Sequence, residues 1–143
     1  MADAPGPVEC LHPPALGPEL GLYSHASRVA LPHGAALVSV AGQLPIDADG
    51  QTVGLQIEPQ TRQVLANVTA VLAAAGCGWD RVVSLRTYMT RQDDVAGFAR
   101  ARAEAFAELL PAGADPPPNT LVFVAGLLKP DYLIEIDALA VSR

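Results

Sequence analysis

Charge is scarce in this 143-residue chain: 17% of its residues are charged, against 50% hydrophobic, and mean hydropathy is +0.27. So little charge poorly solvates the large surface of a small globule, which favours a homo-oligomer. Positive charge is scarcer still, with Lys+Arg 9 against Asp+Glu 15, net −6. With aromatics at only 5%, this opposes attraction to phosphate backbones or anionic membranes. Neither nucleic acid nor membrane is therefore expected as a partner. No apolar run approaches the roughly 18 residues of a membrane span. The opening "MADAPGPVEC" lacks the basic and apolar regions of a signal peptide, so a cytoplasmic location is expected.

Cys10 and Cys77 are the only cysteines, far apart and in no metal or disulfide spacing. His12, His25 and His33 do not cluster with acids at ligand spacing, so no metal is expected. There is no G-x-G-x-x-G, Walker loop, G-x-S-x-G elbow or H-E-x-x-H, which leaves nucleotide, serine-hydrolase and zinc-protease chemistry without a motif.

Proline and glycine are plentiful at the start, with five prolines and three glycines in the first 27 residues. That composition suits an irregular arm over residues 1–22, followed by a single domain over 23–143. "RVAL" and "ALVSVAG" read as strands joined by a turn at "PHGA". From Pro59 to Ala75, Val64, Leu65, Val68, Val71 and Leu72 recur at helical spacing and Gly76 stops the run. "VVSLRTYMT" reads as a strand, a second helix runs from about Val95 to Leu110, and "TLVFVAGLL" and "YLIEIDALAV" complete the set. The order β-β-α-β-α-β-β predicts a two-layer α+β domain, a mixed sheet with two helices on one face. "TLVFVAG" is apolar on both of its faces, which predicts a strand buried from both sides, the second side by neighbouring subunits.

Several side chains need an explanation. Strand alternation puts Glu135, Asp137, Leu139 and Val141 on one face and Ile134, Ile136, Ala138 and Ala140 on the other. The two acids are either a solvated edge or part of a cleft, in which burial would raise the pKa of Glu135 toward general acid/base use. Arg102 falls within the apolar stripe Val95, Phe98, Phe106, Leu109. It either snorkels to the rim or meets an acid or anionic ligand. Asn119 and Thr120, after three prolines, read as a turn and strand start. Tyr23, Ser24 and His25 form a polar knot at the end of the arm, where a lone histidine is usually structural.

In order along the chain, "YSHA", "VSVAGQLPIDADG", "QTRQVLANVTAVLAAAG", "VVSLRTYMT", "PPPNTLVFVAGL" and "IEIDALAV" resemble the reactive intermediate deaminase (Rid, YjgF-like) family. The resemblance implies a chorismate-mutase-like fold and a homotrimer whose sheets form a central barrel with clefts between subunits. It also implies cofactor-free hydrolysis of enamines or imines to a carbonyl compound and ammonia. Glu135 matches the family's water-handling Glu and Tyr23 its pocket tyrosine. Asn119 stands where the archetype clamps the substrate carboxylate with Arg, Thr120 replaces the following Ser, and Arg102 aligns with a pocket residue that is usually Asn. These departures suggest a substrate other than 2-aminoacrylate, with Arg102, Asn119, Thr120, Tyr23 and His25 as candidate binding residues around catalytic Glu135. Two other readings keep the cleft: a pathway-specific tautomerisation or cyclisation, and a trimer that binds small molecules without turnover. Ribonuclease activity is disfavoured by the acidic charge.

Overall fold

The computed structural model describes residues 6–143. Eight elements follow one another: β1 (Val8–Leu11), β2 (Ala26–Ala30), β3 (Ala36–Gln43), α1 (Ile57–Ala74), β4 (Val82–Met89), α2 (Val95–Leu109), β5 (Asn119–Phe123) and β6 (Ile134–Ser142). The strands form one mixed sheet in the order β1-β2-β3-β6-β4-β5. Every pairing is antiparallel except β4 with β5, whose parallel alignment follows from the α2 crossover between them.

The expected elements form, although β5 ends at Phe123 where the sequence pattern ran on to Leu128, and the two-layer α+β class holds. The arm differs from expectation. Residues 1–5 lie outside the described residues, but Val8–Leu11 is a strand, pairing Val8 with Val29 and Leu11 with Ala26. This proline-free stretch sits between Pro7 and Pro13, and an edge strand needs only one partner, so the flanking prolines are tolerated. The link from β2 to β3 bends through Pro32–Gly34, where His33 and Gly34 both have positive φ (65° and 79°).

The helices cover one sheet face. Val64, Leu65, Val68, Val71 and Leu72 of α1 and Phe98 and Phe106 of α2 pack with Val38, Val40, Met89, Ile134 and Ile136 of the strands. Burial of each such side chain contributes roughly 1.5–3 kcal/mol. Trp79 meets the Phe106 ring edge-on, centroids 5.2 Å apart, while its indole N–H donates to Thr69 at 2.9 Å.

Two amides on α1 lie in this largely apolar layer. Gln60 donates to the carbonyls of Gly54 (3.2 Å) and Asp131 (2.7 Å) and accepts from the Leu133 N–H (2.8 Å). Asn67 donates to the carbonyls of Leu44 and Ile46 at 3.0 and 2.9 Å. Each amide satisfies loop backbone groups that would otherwise be buried without partners.

β5 is an edge strand, and in the single chain Val122 and Phe123 are exposed by 42% and 41%, which leaves its second side open to a neighbouring subunit. The parallel crossover places it at the sheet margin, where β4 alone pairs with it. Among the described residues no helix is long and apolar enough to cross a membrane.

Candidate functional site

The site begins at an irregularity in β3. Val40 pairs with Ala138 of β6 but Gln43 pairs with Ile136, so one extra residue is accommodated at Ala41–Gly42. Such a bulge bends a strand and re-aims its neighbours. Gly42 stands against Glu135: a Cβ there would overlap the carboxylate oxygen and lie 2.8 Å from Cδ. The absent side chain at position 42 is the space that Glu135 occupies.

The predicted face division holds, with Ile134, Ile136, Ala138 and Ala140 buried beneath the helices and Glu135, Asp137, Leu139 and Val141 on the open face. The two acids differ in their partners. Asp137 accepts from Arg86 Nε at 2.9 Å and from the Tyr88 hydroxyl at 3.0 Å. Glu135, half-buried, makes no hydrogen bond or ion pair among the described residues. Burial first, and the nearby Asp137 charge second, raise its pKa above the ordinary carboxylate value. Burial also raises the Tyr88 pKa, with the hydrogen bond to Asp137 adding to the effect, so the phenol stays a donor.

Glu135 opens into a pocket of about 300 Å³ lined by Tyr23, Ala41, Gly42, Leu44 and Leu128. Tyr23 is held at the rim, its hydroxyl accepting from the Leu20 N–H at 3.2 Å. His25 lies behind it rather than in this pocket. It is buried, its ring edge-on to Tyr23 with centroids 6.2 Å apart, and Nε2 donates to the Gly17 carbonyl at 3.1 Å. Its Nδ1 has no partner among the described residues.

Arg102 and Asn119 belong to another pocket, of about 490 Å³, between α2 and the proline segment. Arg102 stacks on Phe98, its guanidinium carbon 4.7 Å from the ring centroid. The Asn119 carbonyl oxygen accepts from the Thr87 hydroxyl at 2.8 Å. Asn119 registers with buried Leu85, on the helix-covered side, whereas Glu135 registers with Tyr88 on the open side. Within one chain the two pockets therefore lie on opposite faces of the sheet, and no ion pair joins Arg102 to Glu135 among the described residues. Thr120 is exposed beside Arg86 and lines neither pocket.

Sequence reading missed Gly42, Arg86 and Tyr88. A glycine inside a strand pattern is a bulge signal, and alternation along β4 puts Ser84, Arg86 and Tyr88 on one face; which acid they would meet was set by strand pairing. Among the described residues no group of three or more His, Cys, Asp or Glu side chains is placed to hold a metal ion.

The family described as Endoribonuclease L-PSP matches residues 18–142. A RutC family protein of Pyrococcus horikoshii is 38% identical over 122 residues, 85% of this chain and 87% of that protein. The 2-iminobutanoate/2-iminopropanoate deaminase of Salmonella typhimurium is 34% identical over 108 residues, 76% of this chain and 81% of that one. The crystal structure of Escherichia coli TdcF with bound serine superposes with a TM-score of 0.80 at 26% identity, covering 94% of this chain and 99% of the other.

Proposed function

This chain belongs to the endoribonuclease L-PSP family, the YjgF/RutC group that includes the reactive intermediate deaminases, and from that premise we propose that it hydrolyses a reactive enamine or imine to a carbonyl compound and ammonia. The observation that carries the proposal is Glu135: a half-buried carboxylate without a partner among the described residues, raised in pKa, facing a small and largely apolar pocket. A 34% identical relative is named as a 2-imino acid deaminase.

The chemistry needs one group that both takes and returns a proton. An enamine first accepts a proton at carbon from the carboxylic acid form of Glu135 and becomes an iminium ion. The carboxylate then removes a proton from water as the water oxygen bonds to the iminium carbon, giving a carbinolamine. That proton passes to nitrogen, the C–N bond breaks and ammonia leaves, while the hydroxyl becomes the carbonyl and gives its proton to Glu135, restoring the acid form. A pKa raised by burial and by the Asp137 charge suits this double role, since it makes the carboxylate a stronger base toward water. The reaction consumes only water, so the proposal includes no cofactor.

The two pockets on opposite sheet faces support a cleft built from two copies, with Glu135 and Tyr23 from one and Arg102 and Asn119 from the next. A homotrimer is the assembly proposed, with a cytoplasmic location and a small molecule as ligand. Asn119 brings no charge where the archetype has Arg, so the substrate is one other than 2-aminoacrylate. RNA is not proposed, because the net charge of −6 opposes phosphate binding.

The test is carbonyl and ammonia release from freshly generated imines, with and without α-carboxylates, by the protein and its Glu135→Gln variant. Glu135-dependent acceleration is expected. No acceleration over buffer for any imine would overturn the deaminase reading in favour of another acid/base step or of binding without turnover.

A further inference from the structure

Gln43, at the end of β3, is only 3% exposed. Alternation along the strand puts Val38 and Val40 on the helix-covered side and would turn residue 43 to the open face. The extra residue at Ala41–Gly42 reverses that alternation, so the glutamine points into the helix-covered layer instead. Its side chain turns back on its own strand: Nε2 donates to the carbonyl of Ala41, two residues upstream, at 3.0 Å. The Ala41 N–H donates to the His25 carbonyl at 2.9 Å. Ala41 is therefore held at both of its backbone polar groups, one of them by a side chain.

The stretch held in this way supplies the Glu135 pocket with Ala41, Gly42 and Leu44. Asn67 fixes its downstream end through the carbonyls of Leu44 and Ile46, which leaves the bulge itself to Gln43. Gly42 is where the bulge meets Glu135, whose Cδ and Cγ lie 2.8 and 3.0 Å from the place a Cβ would take. Glu135 has no hydrogen-bond partner of its own among the described residues, so its placement is left to packing against such walls. Any relaxation of the bulge moves the surface against which the carboxylate is desolvated.

We propose that Gln43 is a positioning residue for Glu135: its amide staples the bulge, and the stapled Gly42 holds the carboxylate half-buried at the pocket. The proposal deepens the deaminase reading, on which it rests for the use made of the carboxylate, and adds a residue that acts only through its neighbours. A buried amide that did no more than satisfy a carbonyl would stabilise the fold and leave Glu135 as it is. A staple does more. Burial is the first cause of the raised Glu135 pKa, so a loosened bulge would admit water to the carboxylate and bring that pKa down.

Gln43→Met keeps the length of the side chain and removes the donor. Carboxyl-carbon NMR of the full chain, with Glu135→Gln to assign the signal, follows the titration of Glu135 without requiring turnover. In Gln43→Met the Glu135 midpoint is expected to fall toward the ordinary carboxylate value. With it, kcat for imine hydrolysis should drop by about tenfold to 100-fold, as misplacement of a reacting group does, while KM changes less. A lower melting temperature with the Glu135 titration unmoved would overturn the proposal and leave Gln43 a residue of the fold alone. Should Gln43→Met fail to fold, Gly42→Ala addresses the same contact, and an unmoved Glu135 titration there would overturn it equally. A titration that moves in a protein hydrolysing no imine would sink the deaminase reading alone. Glu135-dependent hydrolysis with the titration unmoved by Gln43→Met would sink this one alone.

Discussion

Glu135 and Asp137 stand two residues apart on one face of β6, and their neighbours make them different reagents. Asp137 is tied by Arg86 and Tyr88, while Glu135 has burial and a like charge beside it and nothing to offset either. Glu135→Gln is expected to lower imine turnover by about 100-fold or more, the usual scale of acid/base catalysis. Because folding raises the pKa of Glu135, the folded state binds a proton more tightly than the unfolded chain. Stability is therefore greatest below the ordinary carboxylate pKa and falls as pH rises through the raised value. Glu135→Gln should accordingly melt at a higher temperature than the parent at pH 7, a difference that calorimetry should see vanish at acid pH. Use of the carboxylate as a base on an imine is expected to have the opposite dependence, with kcat/KM for imines falling as pH drops through that value. Asp137→Asn removes one cause of the shift, so the acid limb of the pH–rate profile should move to lower pH. The acids, Arg102 and Asn119 were legible as candidates because they interrupt apolar patterns. Arg86 and Tyr88 were not, since polar residues on an open strand face are ordinary until the partner strand is known.

Helix α1 was legible from its apolar spacing alone, yet the spacing is silent on what its buried amides do. Gln60 joins the helix to Gly54, Asp131 and Leu133, the last two in the segment that delivers Leu128 and Glu135 to the pocket. Gln60→Leu keeps the volume and strands three backbone groups, so a loss of about 3 kcal/mol or more is expected in denaturant unfolding. Hydrogen exchange should localise the loosening to residues 126–133. Hydrophobic patterning treats a glutamine at such a position as a solvated residue, which is why the link could not be anticipated. β1 was hidden for the converse reason. The surrounding prolines dominate the composition of the arm, and four residues are too few for alternation to stand out against them.

Across the whole molecule the open sheet face carries exposed Leu37 and Val122, with Leu128 exposed at the pocket edge. The two-sided apolarity of "TLVFVAG" was readable, but its position at the sheet margin depends on the crossover through α2 and on long-range pairing. If this face joins copies, Val122→Asp should convert a species of three times the 14.8 kDa chain mass into monomer in sedimentation velocity. Helical circular dichroism should be unchanged and imine turnover lost with the composite cleft. The strand order has a consequence for biosynthesis. β6, the last of the six strands in chain order, lies between β3 and β4. Until β6 has left the ribosome, β1-β2-β3 and β4-β5 can pair only as two separate ribbons. The strand that unites them also brings Glu135, so the nascent protein acquires its continuous sheet and its half-buried carboxylate in the same event.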